Sequence, residues 1–234
     1  MLKRGGSAEH AQGVQWFFKG EVRAHGWRTP DLRRLAHQLT GEIYQTSGLN
    51  FLVAVADNLF SSRVLEEKIF AVLLLERLTA EFGDEHFRLF ESWLTRICSW
   101  AEHDALVHDL IAPMMVAEPR RVAAVFEWAE SGDRWHRRAA CVALIRAARR
   151  KQFFPEITRL SNLVLDQLLH DQLDQEDDMV QKGLAWLLRE TAKADPKRTL
   201  SYLMKIRDRA PRRVLRTACE TLNPAERRRV LVRT

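Results

Sequence analysis

Trp100 and Asp104 are four residues apart, which on a helix puts an indole and a carboxylate on one face. Trp135 and Arg138 are three apart at the start of a basic run. On one continuous helix, Arg134, Arg138 and Arg149 would fall within about 60° of each other. Such a cationic stripe is suited to tracking phosphates. Trp186, Arg189 and Lys193 repeat the theme at i, i+3 and i+7. Aromatic, carboxylate and cation recur on several helices, a set that a concave helical surface can gather against a nucleic acid. Each member also has a plain structural reading: a Trp in a core, an Asp paired with a surface cation, arginines on a solvated face. His103 and His108 flank Asp104, but five-residue spacing does not place two ligands on one helix face, so no metal site is expected. No Gly-rich phosphate loop, Ser-containing elbow or Cys/His nucleophile pattern is present.

The elements that would position these residues are punctuated clearly. Thr29-Pro30-Asp31, Glu118-Pro119, Asp195-Pro196 and Asn223-Pro224 each put Pro at or near the first helical position. Asn223 and Glu226 have capping-box spacing. Asp84 is expected to cap the helix after Gly83, and Ser131-Gly132-Asp133 separates two helical runs. Between these signals, apolar residues recur at helical spacing: Leu32, Leu35, Ala36 and Leu39, then Val122, Val125, Phe126 and Ala129, then Leu184, Leu187, Leu188 and Thr191. About a dozen helices of ~10–20 residues with short connections are expected. The fold class predicted is all-α, a HEAT-like or ARM-type α-helical repeat solenoid with a concave basic face, in a single domain over 1–234. A compact helical bundle is the alternative. His170 to Asp178 is acidic and polar and reads as a solvated loop.

Composition agrees. Leu and Ala number 31 and 26, against 34 for Val, Ile and Thr together, so strong helix formers dominate. No stretch approaches the ~20 apolar residues of a membrane span, and the N-terminus lacks the apolar core of a signal peptide. Three cysteines lie far apart without a Cys-x-x-Cys, which argues against a disulfide framework or zinc knuckle and for a reducing, cytoplasmic setting. The net charge is +6 but is unevenly spread. Residues 134–151 and 205–234 each carry +7, leaving the remainder at −8. Arg outnumbers Lys 29 to 8. Segregated Arg-rich segments point to a polyanion, nucleic acid first.

Four motifs resemble one family, the AlkD-type DNA alkylation repair proteins, which are HEAT-like-repeat DNA glycosylases. Phe17-Phe18-Lys19 followed by Gly26-Trp27-Arg28-Thr29-Pro30 is similar to the family's aromatic-x-Lys and G-(I/V/W)-x-T-P opening. Ser99-Trp100-Ala101-Glu102-His103-Asp104 is similar to its W-D-x-V-D motif. Asp133-Arg134-Trp135-His136-Arg137-Arg138-Ala139-Ala140 resembles W-x-(R/Q)-R-A-A. Residues 181–193, which include Trp186, Arg189 and Lys193, resemble Q-K-A-I-G-W-x-L-R-E-Y-A-K, the most specific of the four. The resemblance covers roughly residues 14–205.

The resemblance implies excision of cationic alkylated purines such as 3-methyladenine and 7-methylguanine from double-stranded DNA. It assigns Asp104 as the catalytic carboxylate and Trp100 and Trp186 as the indoles flanking the lesion's sugar. Arg138 becomes a phosphate contact, with Phe17, Lys19, Arg134, Arg149, Arg189 and Lys193 as further DNA-binding residues. It implies no cofactor, no metal and no membrane, and a monomer is expected. Phe17 stands where some members have Tyr, and Ala101 replaces the first Asp of W-D-x-V-D. The N-terminal arm is short. Two other readings are kept: a non-catalytic binder of damaged or branched DNA, and a protein-interaction scaffold, which would need the Arg stripe buried or paired.

Overall fold

A computed structural model of the chain describes residues 2–170 and 178–232. The fold is all-α. Among the described residues the one extended pairing is an isolated bridge between Arg23 and Val64. No described helix is long and apolar enough to cross a membrane. The chain divides into two compact units, Met1–Ile111 and Ala112–Thr234.

The first unit comprises α1 (Leu2–Gly5), α2 (Ala8–Gln15), α3 (Thr29–Phe60), α4 (Leu65–Leu75), α5 (Asp84–Trp93) and α6 (Trp100–Ala105), which runs on into a π-helix, Leu106–Ile111. Pro30 sits in the first turn of α3 as the sequence predicts. Gly83, not Asp84, caps α5, and Asp84 is the first helical residue. The 32 residues of α3 are two helices joined at Gly48, whose φ of 78° no residue with a Cβ adopts cheaply. Each half falls within the expected length, and the departure from the sequence pattern is toward shorter helices, down to the four residues of α1. The core is aromatic: Phe60 stacks on Trp93 at 4.3 Å, and Phe90 meets Trp93 edge-on at 5.2 Å. The Trp93 indole N–H donates to Asp57 Oδ1 at 2.7 Å, so the buried ring keeps a polar partner.

Helix α4 is almost wholly buried, and two of its buried residues are charged, Glu66 and Lys68. The Glu66 carboxylate accepts three consecutive backbone N–H groups, those of His25 (2.8 Å), Gly26 (2.7 Å) and Trp27 (3.2 Å). This clamp explains the glycine in the G-W-R-T-P opening. Gly26 has φ 81°, and a Cβ there would stand 2.0 Å from the Ser7 carbonyl oxygen. Gly26 O in turn accepts from Ser7 N at 3.0 Å, and the Trp27 indole N–H donates to Leu2 O at 2.7 Å. The short N-terminal helices are thus tied to α4 through one carboxylate.

The second unit comprises α7 (Ala112–Ala117), α8 (Ala124–Ala129), α9 (Arg134–Val142), α10 (Ile145–Arg149), α11 (Phe154–His170), α12 (Asp178–Ala194), α13 (Pro196–Ile206), α14 (Arg212–Ala218) and α15 (Pro224–Leu231). Its caps follow the sequence signals. Asp133 accepts from Trp135 N and His136 N, Asp195 accepts from Arg198 N, and Asn223 and Glu226 form a reciprocal capping box. Pro119 opens a 3₁₀ turn rather than an α-helix. Helix α12 is the centre of the unit and packs on α9, α10, α13 and α14, burying Leu184, Leu187, Leu188 and Ala192. The basic C-terminal segment forms two short helices, and several of its arginines serve internal contacts. Arg209 pairs with Asp166 at 2.5 Å, Arg213 with Asp178 at 3.0 Å, and Arg212 donates to Leu231 O. Of the acidic 170–178 segment, residues 171–177 lie outside the described residues. Asp178 is no loop residue; it opens α12 and bridges Lys182 at 2.8 Å.

Glu66→Ala would strip three inward amides of their acceptor, at about 1–3 kcal/mol for each that stays unsatisfied. The expected outcome is a loss of about 3–5 kcal/mol in urea unfolding, together with protease cleavage before Arg28. An unchanged urea midpoint would contradict the clamp.

Candidate active site

In the first unit the site is built on α6. Ser99 caps this helix, and Trp100 and Asp104 follow on one face. Glu102, between them, points inward. Its carboxylate accepts from Lys68 Nζ at 3.0 Å, Cys98 N at 2.5 Å and Ser99 Oγ at 2.9 Å. Lys68 and Glu102 side chains are each 3% exposed, and Lys68 also donates to Arg96 O. A buried pair this fully hydrogen-bonded fixes the start of α6 against α4.

Asp104 itself is 20% exposed. One of its oxygens lies 2.8 Å from Nδ1 of His103, whose side chain is fully buried. His103 therefore restrains one carboxylate oxygen from within the core. The π-helix begins two residues later, at Leu106, a local widening of the kind that recurs at functional sites. Trp100 is 38% exposed and stacks with Phe18 at 5.5 Å between ring centroids, 23° between planes. Phe17 is 74% exposed, and Lys19 is exposed beside it. The structure thus brings Trp100 and Asp104 together and adds Phe18, which sequence reasoning missed. Two adjacent phenylalanines in a loop give no signal as to which one turns inward.

In the second unit the cations divide. The helix that would carry one continuous Arg stripe is broken: α9 ends at Val142 and α10 begins at Ile145. A single helical wheel over 134–149 therefore does not apply. Arg138 is buried, 5% exposed, and donates from Nη1 to Met179 O at 2.8 Å, joining α9 to the first turn of α12. Gly183 makes room for it, since a Cβ there would stand 3.3 Å from Arg138 Cγ. Arg134 is exposed and lies over the Trp135 ring at 4.9 Å. Arg149 donates to Glu190 Oε2 at 2.8 Å. Arg189 reaches Glu190 at 3.4 Å and Glu220 at 3.6 Å. Trp186 is half-buried on α12, and Lys193 is exposed near its end.

The carboxylates of this unit carry the mark of those cations. Burial pushes the Glu190 carboxyl up, but the Arg149 hydrogen bond and charge, with Lys193 and Arg189, outweigh it and hold it below the ordinary 4.5. Burial likewise raises Asp133, and its hydrogen bonds from the His136 side chain and the 135–136 amides outweigh that and lower it. Among the described residues no cluster of three or more His, Cys, Asp or Glu could hold a metal ion.

The sequence profile of the DNA alkylation repair enzymes matches residues 1–222. The chain belongs to this family. The match runs beyond the 14–205 of the motif resemblance and takes in the N-terminal helices and most of the basic tail. A solved structure described as a predicted DNA alkylation repair enzyme from Enterococcus faecalis has the same fold, with a TM-score of 0.79 at 16% identity over 96% of this chain and 100% of that one. No curated protein matches the chain. The family assignment agrees with the DNA alkylation repair role that the motifs point to. The buried pair had half a signal in the sequence: Ser99-x-x-Glu102 is a capping-box spacing. Nothing marked Lys68 as its partner.

The depressed Glu190 carboxyl makes stability depend on pH. Its contribution is complete above the ordinary 4.5 and is lost as pH falls through the lower folded value, because there the unfolded chain binds the extra proton. Glu190→Gln is expected to flatten the acid limb of urea unfolding free energy against pH. An identical limb in wild type and variant would show that the Arg149 pair contributes nothing.

Proposed function

We propose that the chain is a DNA glycosylase that excises cationic N3- and N7-alkylated purines, 3-methyladenine and 7-methylguanine among them, from double-stranded DNA. The observation that carries this reading is the accessible carboxylate of Asp104. It is held on one oxygen by buried His103 and flanked four residues earlier by a partly exposed indole, in a member of the DNA alkylation repair enzyme family.

The chemistry fits so small a site. An alkylated purine carries a positive charge and leaves with the bonding electron pair of the C1′–N bond, which neutralises it without a proton from the protein. The barrier is the oxocarbenium charge developing at C1′. A fixed carboxylate beside the sugar stabilises that charge and takes the proton of the water that adds to C1′. Trp100 would offer an indole face to the sugar and its charge. His103, which touches no substrate in this reading, is a positioning residue. Arg134, Lys193 and Lys19 are exposed candidates for backbone contact, and Phe17 is an exposed ring available to DNA. Arg138, Arg149 and Arg189, engaged with protein groups, would contribute by shaping the surface or by exchanging partners on binding. The enzyme would act as a monomer in the cytoplasm, with duplex DNA as partner and neither metal nor cofactor.

A second reading has an observation in its favour. The burial of Arg138 and the pairing of Arg149 with Glu190 meet part of the condition for a protein-interaction scaffold.

Substrate selectivity separates them. Incubation with methylated duplex is expected to release 7-methylguanine and 3-methyladenine above the spontaneous rate, and a uracil-containing duplex is expected to release nothing. Robust uracil release would contradict dependence on lesion charge, and no release of either kind with DNA binding intact would establish the non-catalytic binder. For the electrostatic face, Arg134→Ala with Lys193→Ala is expected to weaken duplex binding and lower the slope of log affinity against log salt by about 1 per lost phosphate contact. An unaltered slope would remove these two side chains from the interface.

A further inference from the structure

We infer that Trp16 and Phe17 form a stacking platform for an unstacked DNA base, presented on a stapled turn that is anchored to α6. The inference rests on the glycosylase reading of α6 and extends it to a contact with bases.

Trp16 is 91% exposed and Phe17 74%, two adjacent large aromatic rings left in water. Soluble proteins rarely leave contiguous apolar surface uncovered without a use for it. The turn that carries them is ordered by its own bonds. Phe17 N donates to Val14 O and Phe18 N to Gln15 O, each at 3.1 Å. The Gln15 side chain then closes the loop from both sides: its Nε2 donates to Gly20 O at 2.7 Å, and its Oε1 accepts from Val22 N at 2.9 Å. The third aromatic of the run, Phe18, folds back onto Trp100. One ring thus attaches the turn to the helix of Asp104, and its two neighbours point to solvent.

Charge selects the occupant. The loop continues through Lys19 to Arg23, and Arg23 and Arg63 line a cleft of about 390 Å³ together with Glu21, Lys68, Ser99 and Glu102. Lys19 and Arg23 lie on the same loop as the two exposed rings, and such a pairing of cations with aromatic rings matches a polyanion whose bases can stack, since every base has a π-face and each phosphate a partner in Lys or Arg.

The test uses the full chain and two labelled duplexes of equal length, one fully paired and one with a single bulged 2-aminopurine. Wild type is expected to bind the bulged duplex about tenfold more tightly, in line with the effect of removing one stacking ring, and to quench the 2-aminopurine. Trp16→Ala is expected to lose the preference and the quench while keeping its affinity for the paired duplex and its thermal midpoint. Trp16→Phe is expected to retain part of both. Equal behaviour of wild type and Trp16→Ala on both duplexes overturns the platform and leaves the DNA reading standing. Binding of neither duplex by wild type overturns both. A concentration-dependent increase in sedimentation coefficient that Trp16→Ala abolishes assigns the surface to self-association and also overturns the platform.

Discussion

Two charges on one buried helix hold the first unit in register. Glu66 and Lys68 lie two residues apart on α4, so they project to different sides of it. Glu66 collects the amides of residues 25–27, and Lys68 meets Glu102 on α6. The loop that supplies Phe18 and the helix that supplies Trp100 and Asp104 are thereby registered on the same element. Neither charge is there for cheap stability. An ion pair taken out of water gains little over an apolar pair of the same shape, but removing one partner of it costs about 3–5 kcal/mol. What such a pair provides is a defined position for α6, and in the proposed glycosylase reading a carboxylate that must face a developing charge needs that definition more than it needs added stability.

The second unit handles charge differently. Its arginines are abundant, yet the largest share of those described by contact hold the protein together: Arg138 on the α12 main chain, Arg149 on Glu190, Arg209 on Asp166, Arg213 on Asp178. A guanidinium with five donors in a fixed plane is well suited to this, and well suited to phosphate. The same residue type serves both ends, so the density of arginine in a segment does not measure how many face solvent. Arg134 and Lys193 are among the exposed cations of this unit.

How much was legible in the sequence follows from the range of the interactions involved. Caps and prolines act over three or four residues, so Asp133, Asp195 and the Asn223–Glu226 box were readable directly, as was the all-α class. The pairing of Trp100 with Asp104 was readable for the same reason. The break between α9 and α10 was not, because Ala143 and Leu144 are good helix formers and carry no local stop signal. The Lys68–Glu102 pair spans 34 residues and leaves no local trace. Phe18 rather than Phe17 meets Trp100 because the Gln15 staples fix the rotation of the turn, again a contact across the loop. The family motifs mark regions of the chain without showing which side chains turn outward.

The central claim is that the Asp104 carboxylate does the chemistry. Its most direct test is release of methylated bases from duplex DNA, read by mass spectrometry, for wild type beside Asp104→Asn, which keeps shape and removes charge. The account predicts clear release by wild type and a fall of about 10²-fold or more in the variant, with duplex affinity and unfolding midpoint preserved. Equal release by the two proteins would contradict it.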